Sequence, residues 1–89
     1  MTDRTATVAS RVGLHARPAS VFARAAAQAG VTVMLTAADG RAVNAASILG
    51  VLSLGIDHGQ KVILTAEGPE AERVLEELAA LLERELDED

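Results

Sequence analysis

The chain has 89 residues, a net charge of −5 and 49% hydrophobic residues, with Phe22 as its sole aromatic and no cysteine. That excludes a disulfide framework, a thiolate metal site, a cysteine nucleophile and an aromatic platform for single-stranded nucleic acid. Its length fits one domain, spanning 1–89, with a core of Val, Ile, Leu and Ala. From the start, Thr5 to Ser10 alternates polar and small apolar residues and predicts a half-buried strand. Ser10 to Leu14 predicts a loop in which Gly13 is free to take a positive φ. Ala16 to Ala29 predicts a helix, with Pro18 tolerated in its first turn and Ala19, Phe22, Ala23, Ala26 and Ala29 on one face. Gly30 stops it.

Val31 to Thr36 predicts a strand, Ala38-Asp39-Gly40-Arg41 a turn, and Ala42-Val43-Asn44 a short returning strand. Ser47 to Leu54 predicts a short helix, with Ser47 at its start and Gly55 past its end. Lys61 to Ala66 predicts another strand. Pro69 opens a last helix to about Leu86, with Ala71, Val74, Leu75, Leu78, Leu81 and Leu82 as its apolar stripe. Residues 87–89 predict a frayed tail. The order β-α-β-β-α-β-α predicts an α+β two-layer sandwich, with a mostly antiparallel sheet and helices on one face.

Charge is unevenly spread. Up to Ala66, six basic residues (Arg4, Arg11, Arg17, Arg24, Arg41, Lys61) face three acidic ones (Asp3, Asp39, Asp57). From Glu67 on, ten acidic residues face Arg73 and Arg84. Overall acidity argues against nucleic acid, while the milder positive half suits an anionic substrate or an acidic partner. No apolar segment is long enough for a signal core or a membrane span, so a cytoplasmic protein without membrane insertion is expected.

His15 falls where loop becomes helix. The amides of Ala16 and Arg17 then point toward an anion on the imidazole, and the helix dipole favours that anion. A neutral imidazole is a competent nucleophile. Arg17 offers a planar fork for phosphate oxygens, and Arg17, Ser20 or Val21, Arg24 and Gln28 share a helical face. The same residues also fit a surface cap followed by a solvated arginine. A metal site is disfavoured, since His58 is the other histidine and no carboxylate lies near His15 in sequence. His58 itself, in Asp57-His58-Gly59, reads as a solvated turn residue. On the Ser47 helix, Val51 and Leu54 suit the core. Ile48, Leu49 and Leu52 then form an exposed apolar docking patch, unless the helix is buried all round.

Gly13-Leu14-His15-Ala16-Arg17-Pro18-Ala19-Ser20 resembles the active-site motif of the HPr family, the histidine-containing phosphocarriers of the bacterial sugar phosphotransferase system. Ser47-Ile48-Leu49-Gly50-Val51-Leu52-Ser53-Leu54-Gly55 resembles that family's second motif, and the likeness covers nearly the whole chain. The resemblance implies four strands with three helices on one side. It implies that His15 is phosphorylated on Nδ1 by enzyme I, with phosphoenolpyruvate as the source, and passes the group to sugar-specific EIIA domains. Arg17 would steady the phosphate. Ser20, Arg24, Ile48, Leu49 and Leu52 would meet the partners. The protein would be a stoichiometric carrier, without cofactor and without turnover of its own, and monomeric. Ser47 matches the position a dedicated kinase phosphorylates in some members, but Ala46 stands where a basic or polar residue usually precedes it. A helix cap is its plainer role. The alternatives are a regulatory binding protein signalling through Ser47 and a carrier of a nitrogen-related branch.

Overall fold

The computed structural model describes residues 1–11 and 13–84. The elements are β1 (Thr2–Thr7), α1 (Ala16–Ala27), β2 (Val33–Thr36), β3 (Ala42–Asn44), α2 (Ile48–Ser53), β4 (Lys61–Ala66) and α3 (Ala71–Leu82). They follow the predicted order. The four strands form one sheet in the order β1-β4-β2-β3. Every pairing is antiparallel.

Side chains alternate across that sheet, as the pleat requires. Ala6, Val33, Leu35, Val62, Leu64 and Ala66 are buried on the face that meets the helices. Met34 and Ile63 stand on the other face and are exposed. The register explains the layering, because Leu64 pairs across to Leu35 and Val62 to Ala6. The inner layer is closed by Phe22, Ala19, Ala23 and Ala26 of α1, Val51 of α2, and Ala71, Val74, Leu75, Leu78, Ala79 and Leu82 of α3. Phe22 is fully buried and is the largest core side chain.

Four elements differ from their predicted bounds by two residues or more at an end. β1 runs over Thr2–Thr7 and not Thr5–Ser10. Its first residues, Thr2-Asp3-Arg4, have no apolar pattern. They are held by the backbone ladder to Ala66, Thr65 and Leu64 of β4, and Arg4 lies 4.0 Å from Glu76 of α3. β2 begins at Val33, two residues later than its apolar run suggested. α1 ends at Ala27, with Gln28 as C-cap, so Ala29 packs half-buried against the core from the following turn. α3 begins at Ala71: Pro69 lies in the turn before it, which is closed by the Ala71 N–H donating to the Gly68 carbonyl. α3 ends at Leu82 with Glu83 as C-cap. The expected tail over 87–89 lies outside the described residues.

The β2–β3 turn bears on α2. Gly40 donates to the Ala37 carbonyl, and Arg41 Nε meets Asp39 Oδ2 at 2.8 Å. The other guanidinium nitrogens reach the Ser53 and Leu54 carbonyls at 3.3 and 3.0 Å. A cation thus satisfies carbonyls at the end of α2 that the helix cannot bond itself. The Arg41 backbone N–H, followed by its side chain, holds the Asp39 carboxyl below the usual carboxylate range. A carboxyl lowered in the folded state contributes stability above its unfolded pKa, and that stability is lost as pH falls through the folded value. Asp39→Asn is therefore expected to flatten the fall of Tm with acid below about pH 4. Thermal melts of both proteins across that range check this, and identical acid profiles would refute it.

Candidate functional site

α1 starts at Ala16, and His15 is its N-cap with φ −121 and ψ 160. The first helical bond runs from the Ala19 N–H to the His15 carbonyl at 3.5 Å. His15 thus holds the cap position, but its side chain makes no capping hydrogen bond, so the imidazole is not spent on the helix. A helix start leaves its first amides without partners inside the helix. Here they belong to Ala16 and Arg17, since Pro18 has none to offer. No acidic residue occupies that first turn. An anion at this end therefore meets amide donors and a favourable dipole without a competing carboxylate in the helix.

The carboxylate comes instead from elsewhere in the chain. Asp57 Oδ1 lies 3.6 Å from His15 Nε2, with the imidazole 43% and the carboxylate 75% exposed. No carboxylate lies near His15 in sequence, but the fold brings one to it on the loop before β4. That loop is fastened to the one before α1. The Leu14 N–H donates to the Ile56 carbonyl at 2.8 Å, and the Gly59 N–H to the Val8 carbonyl at 2.8 Å. His58 Nδ1 lies 3.1 Å from the Ser10 carbonyl, a bond between residues 48 apart. His58 is an exposed turn residue, as expected, and also a clasp between the loops. Gln60 braces Asp57 from both sides. Its Oε1 accepts from the Asp57 N–H at 2.8 Å, and its N–H donates to the Asp57 carbonyl at 3.2 Å.

Gly13 permits this apposition. Its φ is +73, and a Cβ there would collide with the Ile56 carbonyl oxygen and sit 2.8 Å from Asp57 Cα. Leu14, fully buried, anchors the site loop in the core.

Along α1, Arg17 and Arg24 are exposed and Ser20 is half-buried. α2 packs against α1. Ser47 is its N-cap: Ser47 Oγ accepts from the Gly50 N–H at 3.1 Å. The predicted three-residue patch is narrower in the structure. Ile48 is 40% and Leu49 78% exposed, but Leu52 is half-buried and packs on the core. A single turn later than Ile48, Leu52 is drawn under the helix with Val51. Sequence reasoning missed Asp57 and the clasp by His58, because their roles arise from tertiary pairing. The signal present was the Gly13 motif, which marks a close backbone approach without saying to what.

Comparison with known proteins places the fold in a family. Residues 2–84 match the family model described as the PTS HPr component phosphorylation site. The phosphocarrier protein HPr of Streptomyces coelicolor is 48% identical over 88 residues, covering 99% of this chain and 95% of the relative. The crystal structure of an HPr from Thermoanaerobacter tengcongensis superposes with a TM-score of 0.89 at 36% identity, covering 100% of this chain and 99% of that one. The HPr-like protein Crh of Bacillus subtilis is 38% identical over 86 residues, covering 97% and 100%. The chain belongs to the HPr family, the phosphocarriers of the phosphotransferase system.

Proposed function

We propose that this chain, acting as a single domain and a monomer in the cytoplasm, carries a phosphoryl group on His15. It takes the group from phosphorylated enzyme I and gives it to EIIA domains during sugar uptake. The observation that carries this reading is the His15 imidazole: part-exposed at a helix start and making no capping bond. In acceptance the bond from phosphorus to the donor atom breaks, leaving its electron pair on the donor, and a P–Nδ1 bond forms, using the ring lone pair. In donation that bond breaks and the pair returns to Nδ1. The amides of Ala16 and Arg17 and the Arg17 guanidinium are the donors placed to hold the phosphoryl oxygens. The exposed Arg24, with Ser20, Ile48 and Leu49, forms the surface for partners, and Leu52 backs it from below. Apolar contacts rimmed by arginine suit a face that must serve more than one acidic partner.

The test is incubation with phosphoenolpyruvate, magnesium and enzyme I. An acid-labile, alkali-stable adduct is expected, and His15→Ala should lose it. An adduct that survives His15→Ala, or none with the wild type, would sink the reading.

A second reading, favoured by the likeness to Crh and by the exposed Ser47 hydroxyl, makes Ser47 a regulatory phosphorylation site. A phosphate there would add about −1.5 to −2 charges beside Ile48 and Leu49 and repel acidic partners. Ser47→Asp is expected to fold normally but to slow phosphoryl exchange with enzyme I or EIIA. Unchanged exchange rates would remove regulation through charge at this site.

A further inference from the structure

Asp57 has no part in the reading above, yet it is the one carboxylate the described residues bring to the His15 ring. It also stands on unusually well-fastened backbone. Both its N–H and its carbonyl are bonded by Gln60. The preceding carbonyl accepts from Leu14, and His58, the residue after it, is held to Ser10. These bonds leave its carboxylate free to act on the ring alone. Among the described residues, no other ion pair is made by either group.

We propose that Asp57 is a positioning residue that sets the tautomer of His15, an inference that rests on His15 being the phosphoryl acceptor. A neutral imidazole carries its proton on one nitrogen and its lone pair on the other. A carboxylate opposite Nε2 favours the form with the proton on Nε2, as carboxylate partners of histidine do elsewhere. The lone pair then lies on Nδ1. At 3.6 Å the pair is longer than a hydrogen bond, and such contacts commonly tighten only in the reacting complex.

The proton count supports this role. When Nδ1 takes the phosphoryl group its lone pair enters the P–N bond, and the ring becomes cationic with the proton still on Nε2. Asp57 faces that N–H and that charge. When the group leaves, the electron pair returns to Nδ1 and the Nε2 proton stays. A ring held in this tautomer completes acceptance and donation without gaining or losing a proton. In the other tautomer, Nδ1 would first have to lose its proton. The carboxylate repels the incoming phosphoryl group, but it does so from the far nitrogen of the ring. Arg17 supplies the opposing charge from the helix.

The test is Asp57→Asn, which keeps both backbone bonds to Gln60. Ring 15N shifts of His15 in the unphosphorylated, neutral state report the tautomer ratio, with His58 as an internal control. For a solvent-exposed pair the ratio of Nε2–H to Nδ1–H forms is expected to fall by roughly two- to fivefold. The rate of phosphoryl acceptance from enzyme I is expected to fall by a similar factor, and Asp57→Glu to restore part of both. An unchanged His15 tautomer ratio in Asp57→Asn overturns the proposal, as does an equal shift at His58, which would mark a general loop disturbance. The spectroscopic readout needs no partner. A wild-type protein that never takes up phosphate on His15 would therefore refute the carrier reading separately.

Discussion

Gly13→Ala is expected to destabilise the protein by about 2–5 kcal/mol. A left-handed φ costs an alanine roughly 1–2 kcal/mol, and forcing a methyl into packed backbone adds about 1–3 kcal/mol. The obstacle is the Ile56 carbonyl and the Asp57 Cα, which belong to the main chain and cannot rotate away. The substitution must push the loop before β4 from the loop before α1. The bond from Leu14 to Ile56 is the first casualty, and the Asp57 carboxylate moves from His15 with it. Urea titration should show a large drop in midpoint. Phosphoryl acceptance, measured where the variant is still folded, should fall further than in Asp57→Asn. A variant within about 0.5 kcal/mol of wild type with normal acceptance would refute the close approach as a requirement.

Phe22→Ala is expected to cost about 3–5 kcal/mol, the range for removing a buried aromatic side chain. The residue is wholly enclosed, and the small residues around it on α1 (Ala19, Ala23 and Ala26) offer little volume to refill the hole. Domains this size gain or lose several degrees of Tm per kcal/mol, so a drop well beyond ~10 °C is expected. Thermal melting checks it. A loss below about 1 kcal/mol would mean that α1 is held by something other than its aromatic anchor.

What could be read from the sequence followed the strength of the burial pattern. β4 alternates cleanly between buried Val62, Leu64 and Ala66 and outward Lys61, Ile63 and Thr65, so its limits were legible to the residue. The stripe of α3 was legible for the same reason. β1 was displaced because its first half gains its structure from a neighbouring backbone, which leaves no mark on side-chain pattern. Helix ends shifted where Gln28 and Pro69 sit in turns that continue helical geometry for a residue or two. The site divided the same way. His15, Arg17 and Ser47 were visible as local signals of a helix start. Leu52 was misplaced, because a six-residue helix does not reveal which flank faces the core. Asp57 was invisible, since its partner is brought to it only by the pairing of distant loops.

The placement of β4 has a consequence for how the molecule is made. The strand formed last in sequence lies between β1 and β2, so an emerging chain has no sheet joining its two halves until Ala66 is available. Before then β2 and β3 form only a hairpin, which is marginal alone, and β1 is an unpaired edge exposed to other strands. The loop carrying Asp57 immediately precedes that strand. Folding is thus delayed by distant contacts, and the approach of Asp57 to His15 forms with them. A truncated or stalled chain would hold His15 without the architecture that orients it. Only a product synthesised through β4 sets Asp57 beside His15.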